Sequence, residues 1–451
     1  MDNSPSVTLS APKLALPPDF VWGTSTSSYQ IEGAAYEDGR GLSIWDTHCK
    51  LQGRVNNNDT GDVACDHYHR YPQDIQIMSD LGIQAYRFSL SWSRLMPRGR
   101  GLVNQKGLDF YDKLIDGLLE VGIEPWICLF HWDFPQLLQD QGGWANRDSV
   151  GWFADYAMLA ARRYGDRVKY WATFNEQNVS TLFGYLWGIS PPSASDRAGY
   201  FQVVHHENLA HGAAIEALRS TVQKALLGVI HNRQTVYPER FDPAHQAAVE
   251  PMDAHWNKIF PDPQILGYYP EILAPDIEPF MHAGDMACIC RPLDWFGLNH
   301  YSPIWARVEP QSTLGFQMGA FPNDMAHTEI NWSINPEVFK HELLEITRHY
   351  KLPVYVTENG CGSNLEKPDE SGFVQDDHRI NYLRLYVQNM AEACQEGADV
   401  RGYFLWSLLD NFEWGAGYES RFGIVRVDFD TQRRTPKASA SWYADLMRIN
   451  S

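Results

Sequence analysis

The chain has 451 residues, 44% of them hydrophobic, and a formal net charge of −19. So acidic a molecule repels polyanions at long range, which excludes nucleic acid and anionic membrane surfaces as partners and favours a neutral small molecule. No run approaches 18 consecutive apolar residues, so no transmembrane helix is expected.

Residues 1–16 lack the basic start and apolar core of a signal peptide, and the chain reads as soluble and cytoplasmic. A flexible segment over 1–15 is expected to precede one domain over 16–451, because no linker, repeat or shift in composition divides the rest. The 16 Trp, 22 Tyr and 21 Phe suit a sugar-binding cleft and equally a large core. Seven cysteines, odd in number and without paired Cys-x-x-Cys spacing, read as free thiols. His206-Glu207 with His211 is no zinc helix, since the second His falls at i+5 rather than i+4. Residues 56–62 lack the alternation and closing Glu of a calcium loop. Neither metal nor cofactor is expected.

In chain order, short apolar segments that end in polar residues alternate with longer amphipathic stretches. The apolar segments are 20–30, 83–92 with Arg87, 123–133 ending in His131-Trp132-Asp133, and 168–176 ending in Asn175-Glu176. They continue with 225–232, 295–301 with Asn299, 354–360 and 402–409 with Trp406. Helices are expected at 105–120, 147–164, 205–221, 336–350 and 376–397, and loops at 56–62, 190–198 and 309–331. In the first helix Leu108, Tyr111, Leu114, Ile115 and Leu118 form one apolar stripe. The alternation predicts an α/β fold, a single (β/α)8 TIM barrel whose long βα loops form the mouth. The stretch 354–360 is the most telling, because a buried β-branched run that delivers one carboxylate must give it a partner or a task. Gln30, Arg87, His131, Asn175, Glu176, Asn232, Asn299, Tyr301, Glu358 and Trp406 would all gather at that mouth. Singly, each also suits an ion pair, a cap or a core position.

The motifs TFNE at 173–176, VTENG at 356–360, YQIEGA at 29–34, YRFSLSW at 86–92 and WSLLDNFEW at 406–414 carry a resemblance to glycoside hydrolase family 1, the β-glucosidase family. It runs from about residue 20 to about residue 446. The resemblance implies a retaining β-glycosidase in which Glu176 is the general acid/base and Glu358 the nucleophile, with carboxyls about 5–5.5 Å apart. It places Arg87 and Tyr301 beside ionised Glu358, and Asn299 in the network that holds the carboxylates. Gln30, His131, Asn175, Glu413 and Trp414 match residues that hydrogen-bond the sugar hydroxyls, and Trp406 the ring beneath the sugar. A Glu413 directed at the 4- and 6-hydroxyls would repel a 6-phosphate. Unphosphorylated β-D-glucosides and cello-oligosaccharides are therefore the expected substrates, with β-galactosides and β-fucosides secondary.

Gln177 and Asn178 depart from the Pro, often followed by Trp, that the family usually has. Asn178 is expected to shape the leaving-group subsite together with Phe183, Trp187 and Trp332. His300, where many relatives have Tyr, should point away from the pocket by strand alternation. A transglycosylase, or a dedicated β-galactosidase or β-fucosidase, would share the fold. A non-catalytic glycoside-binding protein would typically have lost one carboxylate, and this chain keeps both.

Overall fold

Eight parallel strands close into a barrel in the computed structural model, which describes residues 10–322 and 324–451. They are β1 Val21–Ser25, β2 Ala85–Ser89, β3 Glu124–Phe130, β4 Tyr170–Asn175, β5 Leu226–Asn232, β6 Trp295–Asn299, β7 Val354–Asn359 and β8 Val400–Trp406. Each pairs with its sequence neighbours, and β1 closes the ring on β8. The strands are buried on both faces, by helices outside and side chains within, which is why their sequences are continuously apolar.

Seven of the eight predicted segments contain a barrel strand and the eighth overlaps one, since β8 starts at Val400, two residues before it. The first is shorter than expected: β1 stops at Ser25, and Ser28–Ile31 forms a helical turn that carries Gln30. The Thr26 amide still donates to Arg87 O of β2, the last ladder bond of this strand pair.

The N-terminal end of the barrel is plugged by rings. Trp126 stacks on Tyr170 at 3.8 Å and lies 4.8 Å from both Tyr355 and Phe404, with Trp295 at 5.4 Å. Gly228 admits this plug, since a Cβ there would come within 2.3 Å of the Trp295 ring. Polar groups are therefore concentrated at the other end, where the strands finish.

The principal helices are α1 His67–Leu81, α2 Gln105–Glu120, α3 Ser149–Tyr164, the short α4 Gln177–Thr181, α5 Arg197–Thr221, α6 Pro336–Tyr350, α7 Asp377–Gln395 and α8 Ala438–Asn450. The predicted stripe of α2 is buried as expected. α5 starts well before residue 205, because the Asp196 side chain caps the amides of Ala198 and Gly199. The stretch 309–331 is not wholly loop: Phe316–Met318 pairs antiparallel with Ile304–Val308, which pairs in turn with Val236–Pro238.

Of the expected flexible segment, residues 1–9 lie outside the described residues. The Leu14 amide donates to Asn450 Oδ1 at 2.7 Å, and Asn450 Nδ2 donates to Pro12 O at 2.9 Å. Residues 12–14 thus bind the exterior of α8 instead of hanging free. No described helix is long and apolar enough to cross a membrane. His206 and His211 diverge along α5, one to Trp144 O and the other to Thr173 Oγ1.

Candidate active site

Asn175 and Glu358 turn into the mouth because two strands break register just before them. β4 shifts against β5 between Ala172 and Asn175, and β7 shifts against β6 between Val356 and Glu358. Ala172 and Tyr355 face the lumen in the ring cluster. Strict alternation from Ala172 would turn Phe174 inward, yet Phe174 packs outside on Phe153 of α3 at 4.6 Å. Alternation from Tyr355 would likewise send Glu358 outward. The irregularities re-aim Asn175 and Glu358 into the lumen. Gly360 completes the turn, since a Cβ on it would lie 1.8 Å from Trp406 O.

Glu358, 4% exposed, is gripped from both sides. Arg87 Nη1 donates to its Oε1 at 2.6 Å, and the Tyr301 hydroxyl donates to its Oε2 at 2.8 Å. Arg87 Nη2 donates to Asn175 Oδ1 at 2.6 Å, and Asn299 Nδ2 donates to the same oxygen at 3.0 Å. Glu176, 5% exposed, follows the last residue of β4 with a left-handed backbone (φ 49°) and opens α4. Its Oε1 accepts from Asn232 Nδ2 and Asn299 Nδ2, both at 2.9 Å. Those amides cannot flip. Asn232 Oδ1 accepts from Trp256 Nε1, which can only donate, and Asn299 Nδ2 also donates to Asn175 Oδ1, which Arg87 fixes as an acceptor, so each NH2 must face the carboxylate, with Gln234 Nε2 and Thr357 Oγ1 completing the two oxygens.

The surroundings separate the two acids. Burial, then the charge of Glu358, pushes Glu176 up to about 8, opposed by the Asn232 and Asn299 amides and by Arg87. Burial raises Glu358 as well, but the Arg87 guanidinium, the Tyr301 hydroxyl and Asn299 pull it back. The shared proton therefore belongs on Glu176, and Glu358 is the group that carries charge.

Around the pair lie the groups expected to meet a sugar. His131 Nε2 must accept from Asn175 Nδ2 at 3.1 Å, because Asn175 Oδ1 is committed to Arg87 and Asn299. The His131 proton then sits on Nδ1, which has no partner in the protein; burial and then Arg87 hold the ring neutral. The ring stacks at 5.9 Å on both Trp406 and Trp414. Glu413 Oε1 has no partner either. Burial, reinforced by the two catalytic-pair carboxylates, pushes Glu413 well above the carboxylate range. Gln30 is more occupied than expected: it accepts from Ser27 Oγ and donates to Asn411 Oδ1 and Phe412 O, so only an acceptor lone pair is left for a ligand.

The leaving-group residues divide. Asn178 is 1% exposed, and its amide donates to Asn232 O and Trp256 O, both at 2.9 Å. It fastens α4 to β5, while its Oδ1 has no partner among the described residues. Phe183 and Trp187 pack together at 5.3 Å beyond α4, while Trp332 joins Tyr301 and Phe422 beside Glu358. Gln177 is buried behind the acid and accepts from Gln264 Nε2 at 2.8 Å. His300 points away as expected, with Nδ1 on Arg233 O and its ring against Phe339 of α6. Thr357, Gln234 and Trp256 escaped sequence reading, because they act only by orienting amides that other segments supply. Asn232 was visible at the end of its strand, but nothing in its neighbourhood of the sequence assigned it a partner.

The Glycosyl hydrolase family 1 model matches residues 13–451. Beta-glucosidase A of Thermotoga maritima is 42% identical over 439 residues, covering 96% of this chain and 98% of the relative. Beta-glucosidase A of Acetivibrio thermocellus is 40% identical over 445 residues, covering 97% and 99%. The solved Thermotoga maritima beta-glucosidase in complex with glucoimidazole superposes with a TM-score of 0.92 at 42% identity, covering 98% of this chain and 100% of that one. With the closed barrel and paired carboxyls already in view, these matches show that the chain belongs to glycosyl hydrolase family 1.

Proposed function

We propose that the protein is a retaining β-glucosidase that releases the terminal non-reducing β-D-glucosyl residue of small β-glucosides and cello-oligosaccharides. The observation that carries this reading is the asymmetric pair: Glu358 on a guanidinium and a phenol, Glu176 on two amides with its proton affinity raised to about 8.

In the first step Glu358 attacks the anomeric carbon while Glu176 gives its proton to the departing glycosidic oxygen, leaving a glucosyl ester on Glu358. Esterification removes the charge that had raised Glu176, so Glu176 becomes more acidic and is ready to take a proton from water in the second step. His131 Nδ1–H, Asn175 and Glu413 read the sugar hydroxyls, Trp406 and Trp414 flank the ring, and Gln30 contributes an acceptor. Glu413 favours a free 6-hydroxyl over a 6-phosphate, because a carboxyl in either protonation state offers the phosphate dianion no positive charge to pair with. β-Galactosides and β-fucosides are the proposed secondary substrates. No cofactor enters these steps. Seven cysteines without a disulfide among them fit a reducing compartment, and a cytoplasmic location is part of the same proposal. Neutral glycosides, rather than nucleic acid or membrane, are the proposed partners.

Release of nitrophenol from 4-nitrophenyl β-D-glucoside, beside the galactoside and the 6-phosphoglucoside, tests the reading. The glucoside should be cleaved with net retention seen by proton NMR, and the phosphorylated sugar should be the poorest of the three. Inverted product, or no turnover by folded protein, would refute it.

A further inference from the structure

Glu176 stands at a joint of the backbone. Its φ of 49° is left-handed, and its carbonyl accepts from the Val179 and Ser180 amides at 3.1 and 3.2 Å, so its carboxyl moves as α4 moves. A left-handed residue other than glycine persists only where its surroundings over-determine it. One hold on α4 is the Asn178 amide on Asn232 O and Trp256 O. The other is Gln177, the first residue of α4, which is fully buried.

The Gln177 side chain belongs to a row of buried amides whose direction is fixed. Asn208 Nδ2 of α5 donates to Ile259 O at 3.3 Å, and a carbonyl can only accept, so Asn208 Oδ1 is the acceptor. It takes one hydrogen of Gln264 Nε2, and Gln177 Oε1 takes the other, both at 2.8 Å. With its oxygen committed, Gln177 turns its NH2 toward Glu207, the neighbour of Asn208 on α5 and likewise buried. Burial pushes the Glu207 carboxyl well above the ordinary carboxylate range, against the pull of the Gln177 amide, so Glu207 is neutral and acts by position rather than by charge. We propose that Glu207 and Gln264 are positioning residues for Glu176, which clamp the two ends of the Gln177 amide and so hold the acid against the glycosidic oxygen. The inference rests on the β-glucosidase reading and adds that proton delivery depends on a contact behind the barrel mouth.

The test compares 2,4-dinitrophenyl β-D-glucoside, whose leaving group needs no proton, with benzyl β-D-glucoside, whose leaving group does, in kcat/KM, which reports the first step alone. In Glu207→Leu and in Gln264→Leu the dinitrophenyl-to-benzyl ratio should rise about fivefold or more over the wild type. Glu207→Gln keeps an acceptor for the Gln177 amide, and its ratio should stay within about twofold of the wild type. Loss of folded enzyme lowers both substrates by one factor, so a merely structural role would not move the ratio. Wild-type ratios in both leucine variants, or a Glu207→Gln ratio raised as far as that of Glu207→Leu, overturn the proposal. If Glu207→Leu does not fold, Gln264→Leu decides. A wild type that cleaves neither glucoside refutes the β-glucosidase reading and this inference with it, whereas a wild type that cleaves both beside variants of unchanged ratio refutes the inference alone.

Discussion

Glu358 and Glu176 are buried to nearly the same degree, 4% and 5% exposed, at the ends of strands in one barrel. What differs is the company: a guanidinium and a phenolic hydroxyl on one side, two neutral amides on the other. In a shared low dielectric, burial alone would raise both acids together, and a single full positive charge is enough to decide which one ionises. The amides limit how far Glu176 rises without reversing the order. The division of labour is thus set by the neighbours, since the carboxyls themselves are chemically identical.

Removing one member of the pair should have the largest effect. Glu358→Ala should lower kcat on 4-nitrophenyl β-D-glucoside on the order of 10⁵-fold or more, and azide should restore turnover as α-glucosyl azide. β-Glucosyl azide from that variant would mean that the nucleophile had been assigned to the wrong carboxylate. Replacing the charge next to it comes second. Arg87→Met should cost roughly 10²–10³-fold, with the acidic limb of kcat/KM moved to higher pH, because Glu358 then holds its proton more strongly.

Glu176→Gln is expected to cost about 10²–10⁴-fold on alkyl glucosides and far less on 2,4-dinitrophenyl glucoside, whose leaving group needs no proton. The wild-type basic limb near pH 8 should vanish. A limb that persists in this variant would detach it from Glu176. A finer probe is Asn232→Ala, which removes a donor that favours the ionised acid. The basic limb should move to higher pH with a loss of less than about tenfold in kcat/KM.

The smallest effect is on stability. Glu176 holds its proton up to about pH 8 when folded and loses it near the ordinary glutamate value when unfolded. Between those two values the folded state binds the extra proton, so stability falls as pH rises from about 5 to 8. Calorimetry should show a melting temperature that drops over this range by a few degrees more in the wild type than in Glu176→Gln.

Much of this arrangement was legible in the residue pattern. Alternation of buried runs with amphipathic stretches located a strand in seven predicted segments and one overlapping the eighth, and Gln105–Glu120 and Pro336–Tyr350 ran as expected. The motifs around Glu176 and Glu358 marked both carboxylates as candidates. The hold that Asn232 O and Trp256 O take on the Asn178 amide was not legible, because its place after the acid says nothing about where that amide turns. The early start of α5 depended on one capping Asp in a stretch that otherwise reads as loop.

By itself the sequence determined the barrel and the two carboxylates, since hydrophobic periodicity and local motifs are properties of contiguous residues. Only the tertiary structure decided that Asn175 and Glu358 face inward, through register shifts that strict alternation cannot foresee. It alone also decided which amides are locked toward Glu176 and which charge lies against Glu358. Those are contacts between segments far apart in the chain, and their energies depend on distance and burial that exist only once the barrel has closed.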